Sequence, residues 1–122
     1  MELEGDGSMT RRGWGSAIRT LYKGVVYASK TEAVYAQRLD LMKKAGEIRD
    51  WDRQVKIPLV VDGKHVCNML ADFRVWTKDG RVEYHETKGF ASAVWKLKAK
   101  LLAALYPDLV YKVIPAKEVL AR

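Results

Sequence analysis

A glutamate and a lysine two positions apart, Glu86 and Lys88, end a strand-like stretch that Gly89 breaks. Because successive side chains of a strand alternate between its two faces, both point the same way. Mg²⁺ prefers hard oxygen ligands and usually keeps several waters. A carboxylate on this strand, the backbone carbonyl of Thr87 and a second carboxylate nearby would therefore suit a magnesium site.

Asp72 is the natural second carboxylate, because it lies on the strand before the turn at residues 78–80. A two-residue turn would place Asp72 opposite Thr87, on the face away from Glu86. A three-residue loop with Gly80 left-handed would instead place Asp72 opposite Glu86. The metal-site hypothesis therefore requires the three-residue loop or an equivalent bulge.

The elements that must position these residues follow from turn signals and apolar spacing. Ser29 and Glu32 have the spacing of a capping box, which predicts a helix that Gly46 stops. The pattern then predicts an edge strand or an irregular segment over 48–61, strands over 65–77 and 81–88, a helix over 91–106 and a strand over 109–114. The core-facing residues expected in that later helix are Val94, Leu97, Leu101 and Leu105. This order indicates a mixed α/β domain rather than a helical bundle or a β-sandwich.

The charge balance favours a polyanionic partner. The 122 residues include 22 Lys and Arg against 15 Asp and Glu, a formal net charge of +7. Lys and Arg that neutralise phosphates release counterions, so this surplus suits nucleic acid. Residues 1–24 are basic and rich in glycine, which predicts a flexible basic arm ahead of a single domain at 25–122. Within the arm, Arg11 and Arg12 are candidate DNA contacts.

Several classes are disfavoured by composition. Cys67 is the only cysteine, so neither a disulfide framework nor a multi-cysteine zinc site is expected. No run approaches the roughly 18 apolar residues of a membrane span, so no membrane partner is expected. Acids and glycines stand where a signal peptide would have a basic start and an apolar stretch. These features predict an intracellular, cytoplasmic protein.

Asp72 followed by Glu86-Thr87-Lys88 resembles the signature of the PD-(D/E)xK nuclease superfamily in its Asp…Glu-x-Lys form. Ala71 stands where the family's name has a proline. The resemblance covers roughly residues 29 to 114 and is to the small phage-encoded group, most of all to Holliday junction resolvases. Further matching stretches are Tyr27–Glu32, Ala71–Phe73, Lys88–Phe90 and the helix with Trp95, Lys98 and Leu102.

The resemblance implies a restriction-endonuclease-like core, a mixed central β-sheet flanked by helices, and metal-dependent hydrolysis of DNA phosphodiesters. Asp72, Glu86 and the Thr87 carbonyl would hold Mg²⁺ or Mn²⁺, and Lys88 would position the attacking water or offset charge at the phosphate. Glu32 would be a further catalytic carboxylate, although capping its helix is an alternative role. The side chains implied as DNA contacts are Lys30, Trp95 and Lys98.

The substrate that the resemblance implies is a four-way (Holliday) junction in DNA recombination. Two symmetric cuts across a two-fold junction need two sites related by a two-fold axis, so a homodimer is expected. A phage-encoded enzyme of this kind would act in the host cell cytoplasm. A flap or restriction-like nuclease with the same site is one alternative. A basic nucleic-acid-binding protein without hydrolytic activity is another.

Overall fold

The computed structural model describes residues 4–5 and 19–121. Its elements in chain order are β1 (Glu4–Gly5), β2 (Thr20–Tyr22), β3 (Val25–Tyr27), α1 (Lys30–Lys44), β4 (Ile48–Val61), β5 (Lys64–Thr77), β6 (Val82–Lys88), α2 (Ala93–Leu105), β7 (Val110–Pro115) and α3 (Ala116–Leu120). Within this part of the chain, none of the helices is long and apolar enough to cross a membrane.

The main sheet has four strands in the order β4-β5-β6-β7. Asp62 and Gly63 have φ angles of 52° and 76°, the left-handed pair that a two-residue hairpin turn requires, and they join β4 to β5. β5 and β6 are also antiparallel, whereas β6 and β7 are parallel and are connected through α2. A parallel pair needs such a crossover, which here is a helix. The predicted mixed α/β class, with a mixed sheet flanked by helices, is confirmed.

The turn between β5 and β6 is the three-residue loop. Thr77 N donates to Arg81 O at 2.8 Å, and Gly80 has a φ of 89°. The paired residues of β5 and β6 run from Trp76–Val82 to Phe73–His85, and one further step in this register sets Asp72 across from Glu86. A side chain at position 80 would be strained in this left-handed backbone, and its Cβ would lie 3.2 Å from the guanidinium of Arg49.

Helix α1 begins and ends where its sequence signals predict. The Ser29 hydroxyl accepts a hydrogen bond from Glu32 N at 3.1 Å, which satisfies one of the free donors of the first turn. Gly46 has a φ of 79°, and its N–H donates to Lys43 O, as at many helix C-termini. The helix buries one face, formed by Thr31, Ala33, Tyr35, Ala36 and Leu39.

Two hydrophobic clusters share the long β4–β5 hairpin. The first core lies against α1 and contains, among others, Tyr22, Tyr27, Tyr35, Leu39, Phe73, Val75 and Val119. The second core lies against α2 and contains Ile57, Leu59, Met69, Ala71 and Leu102. Along β5, Phe73 and Val75 after Asp72 belong to the first core, and Met69 and Ala71 before it belong to the second. Asp72 therefore lies at the boundary between the two cores.

The two long helices lie on opposite faces of β6. The phenol of Tyr35 on α1 is 2.7 Å from Nδ1 of His85. The next strand residue, Tyr84, packs against the second core. Because neighbours along a strand point to opposite faces, α1 and α2 sandwich this strand.

The folded domain begins before residue 25. β2 and β3 form an antiparallel hairpin in which Thr20 and Tyr22 are only 4% and 3% exposed, because they pack at the first core. The expected boundary after Gly24 is therefore corrected: Thr20–Tyr22 is part of the domain. β1 pairs with β2, while Arg11 and Arg12 of the expected arm lie outside the described residues.

Helix α2 is rotated from its expected orientation. Val94 and Leu97, predicted to face the core, are 63% and 68% exposed, whereas Leu102 is 3% exposed. The side facing the sheet carries Trp95 and Ala99. Apolar residues cover two overlapping stripes of this helix, and the stripe with the large indole removes more apolar area from water. The expectation for Val94 and Leu97 was wrong.

Two truncations test this orientation. Leu102→Ala should lower the free energy of unfolding by about 2–4 kcal/mol, because it removes a buried side chain and leaves a cavity. Leu97→Ala should change it by less than about 0.5 kcal/mol, as for other exposed positions. Urea denaturation of both variants measures the difference. Equal losses would contradict the orientation of α2.

Candidate active site

Asp72 is fixed by the strand next to it. Its Oδ2 accepts hydrogen bonds from the backbone N of Thr87 at 2.9 Å and from the Thr87 hydroxyl at 3.0 Å. The backbone ladder between β5 and β6 stops at the Phe73–His85 pair. Beyond that pair, the backbone N–H of Thr87 on β6 donates to the Asp72 carboxylate, so a side chain keeps the two strands joined.

Glu86 and Lys88 lie side by side on β6, as their spacing predicts. Lys88 Nζ is 3.2 Å from Glu86 Oε2, and the glutamate side chain is only 8% exposed. The same ammonium lies 4.8 Å from the ring centroid of Trp95 on α2. The lysine is therefore held between a carboxylate and an aromatic face, which fixes the position of its ammonium.

Glu32 approaches this pair of strands from α1. Burial, followed by the negative charges of Asp72 and Glu86, raises the pKa of Glu32 to about 7. Its backbone N–H meanwhile donates to Ser29. The helix cap uses the backbone of Glu32, while its carboxylate is electrostatically coupled to both strand acids. The two roles expected as alternatives are compatible in this geometry.

The two strand acids repel each other. Burial raises the pKa of Asp72 above its ordinary value, although the hydrogen bonds from Thr87 and the charges of Lys88 and Arg53 oppose it. Burial and the charge of Asp72 likewise raise the pKa of Glu86. Each carboxylate is thus more easily neutralised than in water, and a bound cation would relieve the repulsion.

The donor set suits a hard cation with few protein ligands. Between residues 19 and 121 no group of three or more His, Cys, Asp or Glu is arranged to hold a metal ion. Among the same residues, however, Glu86 Oε1 is buried and has no hydrogen-bond partner. A bound cation would satisfy this acceptor. Two carboxylates with the Thr87 carbonyl match an ion that retains waters, such as Mg²⁺.

A cleft of about 330 Å³ brings most of the predicted residues together. Asp72, Glu86 and Lys88 line it with Trp95 and Lys98 of α2. Lys98 is partly buried there because α2 turns this side toward the sheet. Lys30 is exposed at the start of α1 and does not line this cleft.

The face of β6 opposite to Glu86 carries a separate polar network. His85 Nε2 lies 3.0 Å from Glu83 Oε1, and Lys112 Nζ lies 3.1 Å from the same oxygen. Burial lowers the pKa of His85, which favours its neutral form. His85 is buried between Tyr35 and Glu83, whose side chains occupy its two ring nitrogens.

Sequence reasoning missed two side chains near the acids. Tyr111 on β7 is partly buried, and burial together with the charge of Glu86 raises its pKa. Arg53 on β4 lowers the pKa of both Glu32 and Asp72. Tyr111 is paired with Tyr84 across a parallel ladder, so only the sheet order could have placed it. No local signal marks Arg53.

The charge of Glu32 should cost stability at high pH. Its folded pKa, about 7, lies above the unfolded value, so the penalty is absent below about pH 4.5 and complete above pH 7. Glu32→Gln should therefore be more stable at pH 8 by on the order of 1–2 kcal/mol, allowing for screening of a partly exposed group. At pH 4 the two proteins should differ little.

Urea denaturation in EDTA at both pH values measures this difference. Glu47→Gln, an exposed acid just after the same helix, is the control and should behave as wild type. A variant no more stable than wild type at pH 8 would show that Glu32 is not strained by its charge.

Comparison with known proteins identifies a family but no activity. A model of a protein family described as being of unknown function, DUF1064, matches residues 15–118. No curated protein and no solved structure matches the chain. The match includes β2 through most of α3, and with them every acid of the cleft. The chain belongs to the DUF1064 family.

Proposed function

We propose that this protein is a Mg²⁺-dependent endodeoxyribonuclease of the PD-(D/E)xK type with a restriction-endonuclease-like core. The observation that carries the proposal is the convergence of Asp72, Glu86 and Lys88 in one cleft. The alternative, that Glu86 and Lys88 are only a surface ion pair, does not account for three features of the site. The Glu86 carboxylate is buried, a second acid lies opposite it, and Glu32 approaches from another element.

The chain's own residues can supply the chemistry of phosphodiester hydrolysis. A water must attack phosphorus while the bond to the leaving sugar oxygen breaks. The ammonium of Lys88 would hold this water or offset charge on the phosphate, and Glu32 would accept a hydrogen bond from the water. Asp72 and Glu86 would hold Mg²⁺ with the Thr87 carbonyl. When bound, Mg²⁺ would supply a lowered water pKa and charge stabilisation.

The proposed substrate is a four-way DNA junction, cut by a homodimer. The net charge of +7 supports a phosphate-rich ligand. Lys98 lines the cleft, and the exposed Lys96 and Lys100 add positive charge to the same helix. A junction with two-fold symmetry is cut symmetrically by two sites related by a two-fold axis.

Cleavage of labelled synthetic DNA tests the function. Wild type with Mg²⁺ should cut a four-way junction faster than a linear duplex or a flap of the same sequence, and EDTA should abolish cutting. Asp72→Asn, Glu86→Gln and Lys88→Met should each lower the rate by roughly 100-fold or more, because each removes a charge that acts in the transition state.

Asp52→Asn is the matched control, because Asp52 lies on the same hairpin but is paired with Arg74. It should cut at nearly the wild-type rate. Preferred cutting of the flap or the duplex would favour the other nuclease types, and DNA binding without any cutting would indicate a non-catalytic protein. Full activity of Asp72→Asn would exclude the assigned site.

Binding of Mg²⁺ should also be measurable without DNA. A cation that relieves repulsion between Asp72 and Glu86 binds the folded state and not the unfolded state, so it raises the melting temperature. Thermal unfolding at pH 8 with increasing Mg²⁺ should show this rise for wild type and for Asp52→Asn. Asp72→Asn should show little rise, and an equal rise would place the cation elsewhere.

A further inference from the structure

Arg53 is a cation held next to the acids from the side opposite to Lys88. It lies on β4, where it pairs with Phe73, the residue next to Asp72. Its guanidinium carbon is 4.6 Å from the ring centroid of Tyr27, and that ring is only 2% exposed. A buried ring is a fixed platform, so the stacked guanidinium has a defined position.

The charge of Arg53 is close to the acids, but Arg53 forms no direct ion pair with them. It lowers the pKa of Glu32 and of Asp72, which requires proximity. Nevertheless, none of the ion pairs found between residues 19 and 121 involves Arg53, and its Nε is buried there without a hydrogen-bond partner. Had its role been to neutralise a carboxylate, a direct contact would be expected.

Arg74 on the same hairpin is an example of an arginine whose donors are already bonded to a carboxylate. Its Nε and Nη2 donate to the two oxygens of Asp52 at 3.2 Å and 2.7 Å. It also stacks on an aromatic ring, with its guanidinium carbon 4.9 Å from the Trp76 centroid. Both arginines stack on an aromatic ring, but of the two only Arg74 has a carboxylate partner among residues 19 to 121.

The backbone beside Arg53 is strained. Gln54 has a φ of 57°, although it is not glycine and lies in the middle of a strand. The register between Arg53–Phe73 and Val55–Ala71 sets it across from Asp72. A left-handed non-glycine residue costs about 1–3 kcal/mol and is found most often at functional sites. Gln54 also lines a pocket of about 200 Å³ that includes Asp72.

We infer that Arg53 binds a backbone phosphate of the DNA strand being cut, at or next to the scissile bond on the β4 side of Asp72. The inference rests on the proposed nuclease function and adds a phosphate subsite to it. A guanidinium presents a planar fork of donors that matches two phosphate oxygens, and stacking on Tyr27 leaves that fork's edge free. Arg53 and Lys88 would then contact the strand from opposite sides of the acids.

Neutralising one phosphate at a time tests the subsite. Four-way junctions that carry one methylphosphonate at the same position of both cleaved strands, near the cut site, are bound in Ca²⁺, and affinity is measured by fluorescence anisotropy. On unmodified DNA, Arg53→Met should weaken binding roughly tenfold for each of the two subunits, the effect of losing one charged hydrogen-bonded contact per site. It should also reduce the slope of log affinity against log salt by about 0.9 for each subunit.

The decisive result is a coupling between the residue and one phosphate. At one methylphosphonate position wild type should lose as much affinity as Arg53→Met does on unmodified DNA, and the variant should lose no more. Arg74→Met is the matched control and should couple to no position. Arg53→Lys, which keeps the charge without the fork, should show a smaller loss at the same position and serves if the methionine variant does not fold.

Loss of affinity that is independent of the modified position, or no loss at all, would overturn the subsite and leave Arg53 a neutraliser of the acids. The same junctions are also incubated with Mg²⁺. Failure of wild type to cut any DNA would overturn the nuclease function instead, while the binding scan would still report on Arg53. The two failures are therefore distinguishable.

Discussion

Repulsion among three partly buried carboxylates is the constraint on which the cleft depends. Burial raises the pKa of Glu32, Asp72 and Glu86, and the charges of the neighbouring acids raise the pKa of Glu32 and Glu86 further. The Thr87 hydrogen bonds and the ammonium of Lys88 offset part of this cost. The remainder must be met by packing elsewhere in the domain, as is usual where function requires an unfavourable arrangement of charges.

The two cores supply that packing from opposite directions. The first core anchors α1 and with it Glu32, while the second core anchors α2 and with it Trp95. Asp72 lies where the two cores meet on the central hairpin. Asp72, Glu86 and Lys88 keep their spacing through the sheet, whereas Glu32 and Trp95 keep their places beside them only while α1 and α2 are docked.

Local rules predicted much of this arrangement. Asp62-Gly63 and Gly80 specify their turns through left-handed backbone, and the second turn fixes which face Asp72 shares with Glu86. The rotation of α2 could not be predicted, because its two apolar stripes overlap and only contact with the sheet selects one. Arg53 could not be predicted either. The left-handed backbone beside it is at Gln54, and no sequence rule marks a glutamine as left-handed. The three-residue strand Thr20–Tyr22 is too short to show a periodic pattern.

The edges of the main sheet limit how this chain can associate. β4 forms one edge, and along it Pro58 has no N–H to offer while Gln54 interrupts the extended backbone. β7 forms the other edge and ends at Pro115, with the charged Lys112 along its length. Neither border offers a second chain a long, regular row of free backbone donors and acceptors. The edges of the main sheet therefore favour a two-fold assembly built from side-chain surfaces over one in which this sheet continues across subunits.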